Sequence, residues 1–102
     1  MKDIIERVAE LHRINDFKNN GGEDKYFRMA LIMEEVGEIC ESLTKCKDNF
    51  KEEHADLMIL LIGNCVAYDI DIVKLVNNKL DKLMDMDITK VGDNTRIITK
   101  SK

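Results

Sequence analysis

The feature that most constrains this chain is a run of six apolar residues, Leu57-Met58-Ile59-Leu60-Leu61-Ile62, set directly behind two acids, Glu53 and Asp56. Six successive apolar residues leave a helix apolar on every side, and such a helix must be buried on every side. The run is far too short for a bilayer core of about 30 Å. On a helical wheel Glu53, Leu57, Leu60 and Asn64 share one narrow strip, with Asp56 beside it. The acids therefore head the same stripe that becomes apolar one turn later, and they cannot simply face away from the core. Carboxylates driven towards a low-dielectric interior are costly unless neutralised. Two outcomes stay open: the carboxyls protonate, or a cation binds.

The surrounding pattern is helical. At 102 residues the chain has room for one domain. Ile4, Val8, Leu11 and Ile14 recur at helical spacing and predict a first helix over 2–17, stopped by Asn19-Asn20-Gly21-Gly22. A second helix is expected over 23–45 with Asp24 as N-cap; Ile32, Val36, Ile39, Cys40 and Leu43 form its apolar arc, and Glu35 lies at the border with the acidic one. Asn49 and Glu52 have the form of a capping box, which starts a third helix over 50–68. A fourth runs over 71–86, with Ile72, Val76, Leu80 and Leu83 as its stripe. The expectation is an all-α, four-helix, bundle-like single domain over 1–86 and a C-terminal tail over 87–102. In that tail 88–91 and 96–99 are β-prone around Gly92-Asp93-Asn94, so a hairpin and a flexible tail both stay open. A chain this short buries only about 60–70% of its unfolded surface. Three other short helices can hardly surround the 57–62 band, so a second copy is expected to complete the core.

Charge and cysteines narrow the partners. Twenty Asp+Glu outweigh sixteen Lys+Arg, giving −4, which speaks against nucleic acid or an anionic membrane as the main partner. Met1-Lys2-Asp3 turns amphipathic at once, and with no signal-peptide core the reading is a cytoplasmic protein. Cys40, Cys46 and Cys65 form no C-x-x-C, so they read as small hydrophobes in or near the core.

The chemistry lies in two clusters, Glu34-Glu35-x-x-Glu38 and Glu53-x-x-Asp56. Residues three or four apart on a helix are neighbours, so each cluster presents paired carboxylates. The link between the two helices is short, and short links join antiparallel neighbours. Glu35, Glu38, Glu53 and Asp56 then converge across the helix contact. Four carboxylates form a hard-oxygen site that suits Mg²⁺, with Mn²⁺ as a substitute, rather than Zn²⁺. Mg²⁺ shares its shell readily with phosphates, which points to phosphoanhydride or phosphate-ester chemistry. Glu34, outside the four, is the candidate to orient or deprotonate the attacking water.

The text Met33-Glu34-Glu35-Val36-Gly37-Glu38-Ile39, followed after thirteen residues by Glu53-His54-Ala55-Asp56-Leu57, resembles the E-E-x-x-E…E-x-x-D signature of the all-α nucleoside triphosphate pyrophosphohydrolase superfamily. Its Glu-Glu-Val-Gly-Glu core is most similar to the MazG-like branch. The resemblance implies Mg²⁺-dependent cleavage of a nucleoside or deoxynucleoside triphosphate to the monophosphate and pyrophosphate. It implies metal ligation by Glu35, Glu38, Glu53 and Asp56, with Glu34 in the supporting position, and assembly as a homodimer or homotetramer. It also implies phosphate contacts from Asn77 and Lys79; where family members often carry an arginine this chain has Leu83, with Lys82 or Arg96 as substitutes.

Two further readings compete. Phosphoribosyl-ATP pyrophosphohydrolases carry a similar Glu-x-Ala-Asp piece but typically follow it with Tyr-His, where this chain has Ile59-Leu60, and that reading ranks below the MazG-like one. A helical interaction module without catalysis would leave the acids as a solvated face, a reading opposed by the alignment of Asp56 with Leu57, Leu60 and Asn64. Phe17, Tyr26 and Phe27 could stack on a base, although core packing is the favoured role.

Overall fold

The computed structural model describes residues 1–98; Thr99, at the end of the second β-prone piece, lies outside them. The elements are α1 (Lys2–Ile14), α2 (Phe17–Asn20), α3 (Lys25–Thr44), α4 (Phe50–Ala67), α5 (Ile72–Met84), β1 (Asp87–Val91) and β2 (Asn94–Ile98). The fold is mostly helical with a short antiparallel hairpin. None of the described helices is long and apolar enough to cross a membrane.

Local chemistry sets the element ends. The first helix stops at Ile14, three residues before the expected end, because Asp16 takes a left-handed conformation at φ 51° and separates a single extra turn, α2. Gly21 at φ 89° closes that turn with the freedom only glycine has there. Asp24 caps α3 as expected, its carboxylate accepting the Phe27 N–H at 2.9 Å. Both α3 and α4 end in six-to-one closures, Lys47 N–H to Ser42 carbonyl and Ile70 N–H to Cys65 carbonyl, with Cys46 and Asp69 left-handed at the turn. The expected capping box at Asn49 is not made: its side chain accepts no cap hydrogen bond and instead donates to Glu53.

The chain divides into two compact units, residues 1–70 and Asp71 onward. The expected division left the fourth helix with the preceding ones and only the tail apart. In the first unit α4 packs against both α1 and α3. Its apolar core is small: Val8, Ile32, Ile62 and Cys65. In the second unit α5 is amphipathic with its stripe exposed, and β1 pairs with β2 from Asp87↔Ile98 to Val91↔Asn94. The two-residue turn begins at Gly92, φ 64°, which suits a hairpin turn with glycine first.

As expected, one chain does not cover the whole 57–62 band: Ile62 is covered, while Met58, Ile59 and Leu61 are 48%, 42% and 42% exposed. Three expectations need correction. The arc of α3 that packs inward runs through Arg28, Ile32 and Ser42 rather than Val36, Cys40 and Leu43, which are exposed. Only Cys65 is a core thiol, since Cys40 and Cys46 are exposed, and Tyr26 and Phe27 are likewise exposed rather than packed. A helix with two apolar arcs does not say from its own pattern which arc meets its own chain.

Across the α1, α3 and α4 contact runs a buried polar cluster. Arg28 is 3% exposed; its Nε donates to Asn64 Oδ1 at 2.6 Å, Nη1 to the Gly22 carbonyl at 3.1 Å and Nη2 to the Leu60 carbonyl at 2.9 Å. Beside it His12 Nδ1 lies 2.7 Å from Glu23 Oε2, and the Tyr68 hydroxyl donates to the Glu23 carbonyl at 2.5 Å. Gly63 makes room for this cluster. A Cβ there would collide with Arg28 Nη2 and come within 2.8 Å of His12 Nε2. Gly63→Ala is therefore expected to destabilise the chain by about 1–3 kcal/mol, the range for overpacking a closed site. Urea unfolding measures it, and an unchanged midpoint would contradict the packing described.

Candidate active site

The acids meet where α3 and α4 run antiparallel on either side of the 45–49 link. One carboxylate oxygen from each of Glu35, Glu38 and Glu53 lies within 4.8 Å of the others. Glu53 is buried at 8% exposure, although it stands in the first turn of α4. Glu35 and Glu38 are half-buried. Asp56, one turn further along α4, is exposed and lines with Glu35 a groove of about 360 Å³ completed by Leu31, Ile59 and Leu60. The aligned acid that separates this arrangement from a solvated face is thus Glu53, rather than Asp56. Glu34 is exposed, and its charge acts on Glu38.

Electrostatics mark the cluster as under-neutralised. Glu35 is held above the ordinary carboxylate range by burial, with the charges of Glu38 and Asp56 adding to it. Glu38 is raised chiefly because it can share a proton with Glu53, and then by the charge of Glu53 itself. Three buried acceptors here have no hydrogen-bond partner: Glu35 Oε2, Glu53 Oε2 and Asn49 Oδ1. All three are oxygens that can only accept once the carboxyls are ionised, so what they lack is a proton or a cation. A hard divalent ion fits this donor set.

Asn49 and Lys47 were not among the site residues expected from sequence, where Asn49 was read only as a helix cap. The Asn49 amide donates to Glu53 Oε1 at 2.9 Å, and its own oxygen is buried without a partner. The signal was present, since Asn49 and Glu53 stand four apart, but the capping pattern with Glu52 masked it. Lys47 pairs with Glu41 at 2.5 Å, which holds its ammonium above the usual lysine range, and the charges of Glu38 and Glu53 add to this. Asn77, Lys79 and Lys82 lie exposed on α5, and Leu83 stands in the same helix; all belong to the second unit and are not part of the acid cluster described. Arg96 is on β2, also exposed.

With this geometry in view, comparison with known families is decisive at one level. The model of the phosphoribosyl-ATP pyrophosphohydrolase family matches residues 2–82, from the start of α1 into the last turn of α5. The chain belongs to that family. It is accordingly a member of the MazG-like all-α superfamily of pyrophosphohydrolases, enzymes that cleave phosphoanhydride bonds. Searches among curated proteins and among solved structures returned no match. The family match reverses the ranking drawn from the Glu-Glu-Val-Gly-Glu text, which had put the phosphoribosyl-ATP branch second.

The raised carboxyls carry a stability consequence. A carboxyl whose folded value lies above its unfolded one favours folding while protonated, and that contribution is lost as pH rises through the folded value. The metal-free chain is expected to lose melting temperature as pH climbs out of the usual carboxylate range towards neutrality, and Glu38→Gln is expected to remove part of that loss. Thermal melts in a chelator between pH 4 and 8 measure it; a melting temperature that rises steadily over this window in both proteins would refute the repulsion.

Proposed function

We propose that this chain is a Mg²⁺-dependent pyrophosphohydrolase that hydrolyses the α–β phosphoanhydride of phosphoribosyl-ATP, water adding across the bond to leave the monophosphate and pyrophosphate. The observation that carries the reading is the set of partnerless buried oxygens on Glu35, Glu53 and Asn49 within an acidic cluster of a pyrophosphohydrolase family member. Glu35, Glu38, Glu53 and Asp56 are the residues that would hold the ion. Bound there, Mg²⁺ or Mn²⁺ would offset phosphate charge and acidify a water. Asn49 holds Glu53 in place through its amide. Glu34, exposed and with its charge acting on Glu38, would orient a water from the solvent side. Asn77, Lys79 and Lys82 stand as phosphate contacts on the sequence resemblance alone.

A second reading, a common nucleoside or deoxynucleoside triphosphate as substrate, is favoured by one observation. Ile59 and Leu60, which occupy the place of the Tyr-His pair, line the same groove as Glu35 and Asp56. The departure from the phosphoribosyl-ATP pattern therefore falls beside the acids. Supplying phosphoribosyl-ATP and a panel of triphosphates with Mg²⁺, and measuring pyrophosphate, separates the two. Faster release from phosphoribosyl-ATP supports the first and faster release from a triphosphate the second; orthophosphate as the product, or none, sinks both. Glu38→Gln and Asp56→Asn are expected to lower turnover at least about 100-fold, beyond the effect of losing an outer partner, while circular dichroism shows the helices intact. Wild-type turnover in either variant would displace that residue from the ligand set.

The working form is proposed to be a homodimer or homotetramer. Two exposed apolar surfaces support this: the α4 band at Met58, Ile59 and Leu61, and a stripe along α3 through Met29, Met33, Val36, Cys40 and Leu43. The α3 stripe has heptad spacing, which suits a facing helix. Light scattering is expected to give two or four times the 11.8 kDa chain mass; a monomer at micromolar concentration would refute it.

A further inference from the structure

The strongest feature outside the acid cluster is the buried Arg28. Among the described residues it has no carboxylate in ion-pair range, and its three acceptors are all neutral. A buried arginine is costly unless its donors are well placed, so its position calls for a reason. Arg28 and Glu35 are seven residues apart on α3, and Leu60 and Glu53 are seven apart on α4. Seven residues are two helical turns, about 10 Å of rise. The guanidinium therefore bridges the same α3–α4 contact that carries the acids, one heptad away from them. It reaches two successive turns of α4, at Leu60 and Asn64, and the chain before α3 at Gly22. A planar fork with three directional donors fixes rotation and sliding of one helix against another in a way that apolar packing does not. The acids at the other end push α3 and α4 apart, and apolar packing such as that of buried Ile32 on α3 is non-directional.

We infer that Arg28 is a positioning residue for the acid site: its fork to Leu60, Asn64 and Gly22 sets the register of α3 on α4, and so brings Glu35 and Glu38 opposite Glu53. The inference rests on the metal-binding reading above and names a residue that the family signature does not contain. Gly63 belongs to the same device, because only a residue without a side chain lets Arg28 and His12 cross α4 at that point.

The test is Mn²⁺ affinity of the full chain without substrate, by calorimetry or electron paramagnetic resonance, in Arg28→Met, Arg28→Lys and Asn64→Ala. Val8→Ala serves as a control, since Val8 is a core residue on α1 outside the acid cluster and the Arg28 fork. All four variants should melt earlier. The dissociation constant for Mn²⁺ should rise about tenfold or more in the Arg28 variants, the range seen when a supporting partner of a metal ligand is lost, and less in Asn64→Ala. It should stay at the wild-type value in Val8→Ala. Lysine keeps the charge but not the fork, so loss in Arg28→Lys assigns the effect to geometry. If Arg28→Met does not fold, Arg28→Lys and Asn64→Ala decide. Wild-type Mn²⁺ affinity in folded Arg28 variants, or an equal loss in Val8→Ala at matched melting temperature, overturns the positioning role alone. A wild-type chain that binds no Mn²⁺ overturns the metal reading on which it stands.

Discussion

Repulsion among carboxylates at one end of the α3–α4 contact is the constraint around which this small fold is arranged. Glu35, Glu38 and Glu53 are brought within 4.8 Å although like charges at such range oppose the approach of the helices that carry them. The approach is held by what lies behind the acids: buried Ile32 on α3, and the Arg28 fork two turns along. The positive charge is thus placed where it can hold the helices together without pairing with the acids. Had Arg28 stood within ion-pair range of Glu35, it would have neutralised the oxygens that now have no partner.

One copy of the chain leaves much apolar surface exposed. Four apolar residues form the buried core of the described residues, whereas Met29, Met33, Leu43, Met58, Ile59 and Leu61 stay open to solvent. A domain of this size has little surface to spare for such exposure. The acid cluster and the exposed band share α4, so a surface that assembles copies would also stiffen the helix that carries Glu53 and Asp56.

Membership of the phosphoribosyl-ATP pyrophosphohydrolase family and the unpaired oxygens converge on one chemistry from separate directions. The family match concerns the whole length from α1 into α5; the orphaned acceptors concern three atoms. Between them sits the groove beside Asp56, walled by Leu31, Ile59 and Leu60. On the proposed reading, its apolar wall is where the choice between substrates of one reaction class would be made.

Much of the fold was legible in order and kind. The spacing of Ile4, Val8 and Leu11, the Asp24 cap and the short link at 45–49 marked three of the helices to within a few residues, because periodicity and capping are local properties. The antiparallel link and the Glu-Glu-x-x-Glu and Glu-x-x-Asp spacings also located the acids, since helix geometry alone places residues three or four apart on one face. What the linear text did not determine is which of two apolar arcs of α3 meets its own chain, that Glu53 rather than Asp56 is the buried acid, that Asn49 serves Glu53 instead of the helix end, and that Arg28 is buried at all. Each depends on a neighbour distant in sequence: Arg28 meets Leu60 and Asn64, and Gly63 makes room for it. Local pattern settles what a helix is and where it starts, but which side it turns inward is a choice made between helices, where repulsion, shape and hydrogen bonding act together.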